Sequence, residues 1–160
     1  MDAKVIWSEG LRFSGSAGAG FELPLDGDGA GFSPLQLLAI GLAGCTAMDV
    51  ISILGKKRQD VTSFTVQVHA DQREQHPHVF TTAQIVYRVT GHAVDEAALQ
   101  RAIELSTAKY CPAYAMLSQS FPIGLAYEIR ADLGDGQTEL LKRGRAWQGG
   151  WVPPDDAVAG

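Results

Sequence analysis

The chain has 160 residues, of which 46% are hydrophobic, and this size and composition suit one globular domain with its own core. A formal net charge of -5 and a pI of about 5.2 exclude the dense basic surface that nucleic acids bind. The sequence has no membrane-type apolar run, and its N-terminus, MDAKVIW, lacks the basic and apolar segments of a signal peptide. We therefore expect a soluble, cytoplasmic protein with neither nucleic-acid nor membrane partners.

Short strands are predicted at the N-terminus. Residues 3–7 and 11–14 are separated by Ser8, Glu9 and Gly10, which is typical of a hairpin. A further strand, FELPL, then leads into a loop of turn-forming residues at 26–31.

A long helix should follow this loop. Ser33 can cap it, Pro34 suits its first position, and Gln36 completes a capping box with the serine. Residues 35–54 are apolar on nearly every face, and Gly55 is a typical helix terminator. We interpret this segment as a core helix buried on all sides, not as a membrane span.

Strands alternate with helices in the rest of the domain. Residues 62–72 and 78–90 alternate apolar with polar side chains and predict an antiparallel hairpin. Asp95 can cap a helix that runs to Tyr110, and residues 124–131 give a last alternating strand. This order of elements indicates an α+β fold.

The composition changes after Asp132. We predict one domain over residues 1–132 and an appended tail over residues 133–160, which is rich in glycine, proline and charge. Trp147 and Trp151 could dock the tail on the domain or on a second subunit. The alternative is a disordered terminus, as many chains have.

Cys45 lies in the middle of the predicted helix. Gly41 and Gly44 precede it by about one turn or less and would let a substrate or another backbone approach its sulfur, while Asp49 lies one turn after it. A carboxylate in so apolar a helix needs a reason. The alternative interpretation is that Cys45 is an inert, small core residue and that the glycines serve helix packing.

Cys111 is followed by Pro112 and should begin a new short helix. The helix N-terminus and nearby Lys109 both favour its thiolate, so Cys111 should be the more acidic thiol if it is exposed. It could equally be an ordinary capping residue. Two helical cysteines together suggest a peroxidatic and a resolving thiol, which requires α-carbons within about 7 Å of each other.

A metal site is not expected. The four histidines are not spaced with either cysteine in a familiar ligand pattern. They are His69, His76, His78 and His92.

Three segments together resemble the OsmC/Ohr family, particularly its YhfA-like branch. They are residues 33–38, 44–50 (GCTAMDV) and 109–112 (KYCP), and the likeness extends over roughly residues 1–130. The resemblance implies an α+β OsmC-like fold with antiparallel sheets around a long buried central helix, in an intertwined homodimer with two interface sites. It also implies reduction of a small-molecule organic hydroperoxide by peroxidatic Cys45 and resolving Cys111. A dithiol, often a lipoyl group, would be the electron donor, and no cofactor is implied.

The chain departs from the family pattern at two places. Leu35 stands where relatives with hydroperoxidase character have a glutamate, and the stretch 23–27 lacks their arginine. That arginine would lower the sulfur's pKa and orient the peroxide, and the glutamate would hold the arginine. Arg12 is a possible substitute, although a solvated strand position suits it better.

These departures motivate two rival hypotheses. In the first, the chain is a non-enzymatic module that binds a small hydrophobic ligand in an apolar pocket at the dimer interface. In the second, it is a structural dimer with inert thiols.

Overall fold

The computed structural model describes residues 1–18, 20–146 and 150–152. Residue contacts divide the chain into two compact units, residues 1–40 and 41–160. Helices and strands occur together in the mixed α+β arrangement that the sequence predicted.

The first unit contains a three-stranded antiparallel sheet. Its strands are β1 (Ala3–Glu9), β2 (Arg12–Ala17) and β3 (Glu22–Asp26), in that order across the sheet. The predicted N-terminal hairpin is present, with Trp7 paired to Phe13. Arg12 is engaged within this unit, because its guanidinium pairs with Glu9 Oε1 at 2.8 Å and with Asp26 Oδ2 at 3.2 Å.

Helix α1 (Pro34–Lys56) begins at the predicted capping box. The Ser33 N–H donates to Gln36 Oε1 at 2.9 Å, and the Gln36 N–H donates to Ser33 Oγ at 3.2 Å. The two residues thereby satisfy backbone donors that the first helical turn leaves free.

Within the single chain α1 is buried on one side, not on all sides as the sequence indicated. Its fully buried residues recur every fourth position and are Leu42, Thr46, Val50 and Leu54. Large apolar side chains elsewhere on the helix are exposed, among them Leu38, Ile40, Met48 and Ile51. With a mean hydropathy of 2.0 in its most apolar window, α1 could cross a membrane by length and composition alone, a property that core helices of soluble proteins share.

The second unit contains a five-stranded sheet. Its strands are β4 (Asp60–Gln72), β5 (Phe80–His92), β6 (Ile123–Gly134), β7 (Gln137–Ala146) and β8 (Trp151–Val152), in that spatial order. Antiparallel sheets were expected, and this sheet is mixed: β5 and β6 run parallel, whereas its other neighbouring strands pair antiparallel. Parallel neighbours need a long crossover, and here the helical segment between the two strands provides it.

That crossover consists of α2 (Glu96–Leu105), a π-helical turn (Ser106–Tyr110) and α3 (Pro112–Leu117). Asp95 caps α2 as predicted, since its carboxylate accepts the N–H groups of Ala97 and Ala98. In the core of this unit, side chains of the crossover pack against the sheet and against the buried residues of α1, which we call the buried row of α1. The largest fully buried members of the core include Leu42, Leu54, Ile85, Tyr87, Leu99, Ile103 and Ile129.

The segment assigned to an appended tail contains further sheet strands. Strand β7 pairs antiparallel with β6, and β8 pairs with β7. Trp151 lies edge-on to the Tyr127 ring, with centroids 5.0 Å apart, and its Nε1–H donates to Glu104. Trp151 therefore docks on the domain, whereas Trp147 and residues 153–160 lie outside the described residues.

Candidate redox site

Cys45 lies on α1 beside the buried row of that helix. It is half-buried, and the next residue, Thr46, is completely buried. The apolar packing of the buried row fixes the rotation of the helix about its axis. The position of the Cys45 sulfur relative to the second unit's core follows from that packing.

A local change in helical geometry positions Cys111. After α2, residues 106–110 form a π-helical turn, and the Cys111 N–H donates to the Ser106 carbonyl at 2.8 Å. Cys111 itself is extended, and Pro112 opens α3 at its first position. The predicted helix start at Cys111 is therefore present, and the Tyr114 N–H donates to the Cys111 sulfur at 3.3 Å.

The structure brings the two predicted cysteines together. Both are free thiols, and the Cys111 Sγ donates a hydrogen bond to the Cys45 Sγ at 2.8 Å. A disulfide requires sulfurs about 2.05 Å apart, so a small approach of the two sulfur atoms would close the bond. The two sulfurs are therefore close enough to react with each other.

Cys111 is not the acidic thiol that the sequence suggested, because the condition of exposure is not met. The residue is only 2% exposed. Burial, followed by the hydrogen bond to Cys45, raises the pKa of Cys111 to about 12, although the Tyr114 N–H acts in the opposite direction. Lys109 is exposed and places its ammonium 5.3 Å from the centroid of the Tyr110 ring. Cys111 is thus a neutral thiol at physiological pH.

A buried chain of hydroxyl groups lies next to the sulfurs and was missed by sequence reasoning. Thr46 Oγ1 is 2.7 Å from the Tyr87 hydroxyl and 3.0 Å from Ser106 Oγ. Ser106 Oγ in turn donates to Asp49 Oδ2 at 2.9 Å. The three hydroxyl residues are fully buried, and burial raises the pKa of Tyr87 well above its ordinary value. The Tyr87 phenol therefore keeps its proton at neutral pH.

Asp49 has a structural reason for its place in an apolar helix. Its carboxylate is half-buried and terminates the hydroxyl chain by accepting from Ser106. A polar group that is removed from water costs free energy unless it is hydrogen-bonded, and this bond meets that requirement. Asp49 also adds negative charge near Cys111, which contributes to the raised pKa of that thiol.

The described residues contain no cluster of three or more histidine, cysteine, aspartate or glutamate side chains that could hold a metal ion.

Comparisons with known proteins agree with this fold. A family model described as OsmC-like protein matches residues 27–126. The chain is 38% identical to protein YhfA of Escherichia coli over 133 residues, which cover 82% of this chain and 99% of that protein.

Solved structures extend the likeness. A hypothetical protein from Aquifex aeolicus is 30% identical, with a TM-score of 0.75 over 82% of this chain and 96% of its own. An OsmC-like protein from Mycoplasma pneumoniae shares the fold at 17% identity, with a TM-score of 0.70 over 80% and 95% of the two chains. An organic hydroperoxide resistance protein from Legionella pneumophila shares it at 13% identity, with a TM-score of 0.56 over 79% and 94%. The match of the family model and the identity to YhfA together show that this chain belongs to the OsmC-like protein family.

Proposed function

We propose that the chain reduces organic hydroperoxides, with Cys45 as the attacking thiol and Cys111 as the resolving thiol. The observation that carries this proposal is the 2.8 Å contact between the sulfurs of Cys45, a half-buried residue, and Cys111, a buried one. A peroxide needs access to the sulfur that it oxidises first, and Cys45 offers more access than Cys111. Membership of a family that includes organic hydroperoxide resistance proteins supports the substrate class.

The first step oxidises Cys45. Its thiolate attacks the terminal oxygen of the hydroperoxide, an S–O bond forms, and the O–O bond breaks. Cys45 becomes a sulfenic acid, and the alkoxide that leaves takes up a proton to give the alcohol.

The second step uses the short distance between the sulfurs. The Cys111 sulfur attacks the Cys45 sulfur, the S–S bond forms, and the S–O bond breaks. The hydroxide that leaves combines with the proton of the Cys111 thiol to form water. An external dithiol then reduces the disulfide by thiol–disulfide exchange and is itself oxidised, so no resident cofactor is needed.

The two departures from the family pattern predict slow chemistry. Leu35 cannot hold an arginine as a glutamate would, and Arg12 is already paired with two carboxylates of its own unit. The arginine of the family pattern would stabilise the Cys45 thiolate and orient the peroxide, and this chain lacks it at that position. We therefore expect oxidation of Cys45 at the rate of an ordinary protein thiol rather than at that of a specialised peroxidase.

We also propose that the chain works as an intertwined homodimer in which α1 is the central helix. Met48, one turn from Cys45, is 73% exposed, and Ile51 is 40% exposed. In the first unit Trp7 is 63% and Phe21 is 84% exposed. Large apolar side chains left exposed in each unit indicate interaction surfaces, and a second copy of this chain would cover them.

Intact mass spectrometry tests the reaction. Cumene hydroperoxide should convert the reduced protein to a species lighter by two hydrogens. Cys111→Ser should instead accumulate a Cys45 sulfenic acid that dimedone traps, and Cys45→Ser should not react. Unchanged thiols in the wild-type protein, at peroxide levels that oxidise free cysteine, would refute the proposal.

A second candidate is a binding module for a small hydrophobic ligand, and one cavity favours it. The first unit contains an open cavity of about 670 Å³ with mostly apolar walls, within the range of small-molecule sites. Its lining includes Pro24, Phe32, Ala39 and Ile40, with Gln36 as a polar group. A co-purified apolar compound in a protein whose thiols resist peroxide would favour this function over the enzymatic one.

A further inference from the structure

The buried hydroxyl chain has a specific relation to the two sulfurs. Thr46 is the residue after Cys45, and Asp49 lies one helical turn after it on α1. Ser106 contacts both through its hydroxyl, at 3.0 Å and 2.9 Å. The segment of α1 that bears Cys45 is thus tied by side chains to the π-helical turn.

The same residue also contacts Cys111 through its backbone. The Ser106 carbonyl accepts the Cys111 N–H at 2.8 Å across the π-helical turn. Ser106 therefore links the two cysteine-bearing segments: its carbonyl binds the Cys111 backbone, and its hydroxyl binds two residues of α1, the helix that bears Cys45. Ser106 is fully buried, and its bond to Thr46 is buried with it, whereas Asp49 is half-buried.

The network is not needed for packing alone. Apolar side chains of similar size fill buried space without the desolvation cost of three hydroxyl groups and a carboxylate. Wider π-helical turns within helices are uncommon and occur frequently at functional sites. Ser106 belongs both to the buried hydroxyl network and to the π-helical turn that precedes Cys111.

We propose that Ser106, held by Asp49 and Thr46, is a positioning residue that sets the Cys45 and Cys111 sulfurs at the separation from which a disulfide forms and reopens. This inference rests on the proposed function in one respect, that the pair cycles between dithiol and disulfide. When glutathione disulfide is the oxidant, two S–H bonds of the protein are lost, one S–S bond forms, and two electrons and two protons reduce glutathione disulfide to two glutathione molecules.

The test is the equilibrium of the full chain with defined glutathione mixtures, read by alkylation and intact mass. Ser106→Ala removes the hydroxyl and keeps the carbonyl. It should lower the equilibrium constant for disulfide formation about tenfold, which corresponds to a potential about 30 mV less negative. Ser106→Thr retains a hydroxyl and should restore most of this loss.

Thr107→Ala is the matched control. The Thr107 hydroxyl donates to the Ile103 carbonyl within the crossover, so its loss should leave the sulfur equilibrium unchanged. If Ser106→Ala does not fold, Asp49→Ala removes the acceptor of the Ser106 hydroxyl at a half-buried position and should shift the equilibrium in the same direction.

Several results would overturn the inference. One is an unchanged equilibrium constant in Ser106→Ala despite a lower thermal midpoint, and another is an equal shift in Thr107→Ala. A third is the failure of the wild-type pair to form a disulfide with glutathione disulfide. Because no peroxide is used, a protein that passes this test but resists cumene hydroperoxide would refute the proposed function and leave the positioning role of Ser106 intact.

Discussion

The Cys111 thiol donates a hydrogen bond to the Cys45 sulfur, although the two residues are 66 positions apart in the chain. One sulfur is half-buried on a long helix, and the other is buried at the start of a short one. This asymmetry distinguishes the two thiols by their access to solvent. Cys111 retains its proton because its surroundings disfavour a negative charge.

The raised pKa of Cys111 predicts a pH-dependent loss of stability. An unfolded cysteine ionises near its ordinary pKa of about 9, whereas the folded Cys111 retains its proton until about pH 12. Between these values the unfolded state binds fewer protons, so the free energy of unfolding falls as pH rises. Cys111 can lower the free energy of unfolding by at most about 1.4 kcal/mol per pH unit.

Urea denaturation of the wild-type protein and Cys111→Ser at pH 8, 9 and 10 measures this effect. The free energy of unfolding of the wild-type protein should fall relative to that of Cys111→Ser as pH rises. A difference that stays constant over this range would contradict the assigned protonation state.

Close contact at Gly144 on β7 predicts a steric cost. A Cβ atom at this position would lie 2.6 Å from Cζ of the buried Tyr127 ring. Gly144→Ala should therefore lower the free energy of unfolding by about 1–3 kcal/mol, the usual cost of overpacking. Gly55→Ala in α1 is the control, because its Cβ meets no atom within 4 Å and alanine favours helix. Equal free energies of unfolding of the two variants, measured in urea, would contradict the predicted clash with the Tyr127 ring.

The docking of Trp151 predicts that the C-terminal strands stabilise the domain. Trp151→Ala removes the edge-on contact with Tyr127 and the hydrogen bond to Glu104, and should cost about 2 kcal/mol. Trp151→Phe retains the ring contact and should lose less. Chemical denaturation measures both, and an alanine variant as stable as the wild type would show that the docking is energetically neutral.

The exposed apolar side chains of α1 predict a self-association surface. Met48→Glu places a charge where the proposed second copy would pack, and should raise the dimer dissociation constant at least about 100-fold. Light scattering after size-exclusion chromatography measures the mass. Leu133→Glu, at an apolar residue of β6 that is 58% exposed, is the control. A Met48→Glu protein with the same dimer mass and affinity as the wild type would place the interface elsewhere.

Local signals in the sequence were sufficient for several elements. The capping box at Ser33, the Asp95 cap and the Cys111-Pro112 helix start are all present, because each depends on neighbours within a few positions. The hairpin of β4 and β5 follows from alternation in the same way.

Other features depend on contacts that no local pattern reports. The parallel pairing of β5 and β6 is decided by how the crossover packs. Most residues of β7 are exposed on both faces, so this strand has no alternation to detect. The Thr46–Ser106 contact joins residues 60 positions apart, and serine and threonine are too common to single out. Asp49 stands out in the sequence because a carboxylate is unusual in an apolar helix, whereas its partner, Ser106, is evident only in the three-dimensional structure.

The π-helical turn before Cys111 makes the site sensitive to the length of the crossover. Each residue of an α-helix advances the chain by about 100° around the helix axis. The Cys111 N–H donates to a carbonyl five residues before it, so this turn holds one residue more than an α-helical turn. Deletion of that residue would restore α-helical spacing and abolish the turn, with every strand and both cysteines still in place, so the residue count before Cys111 is a structural feature of the site in its own right.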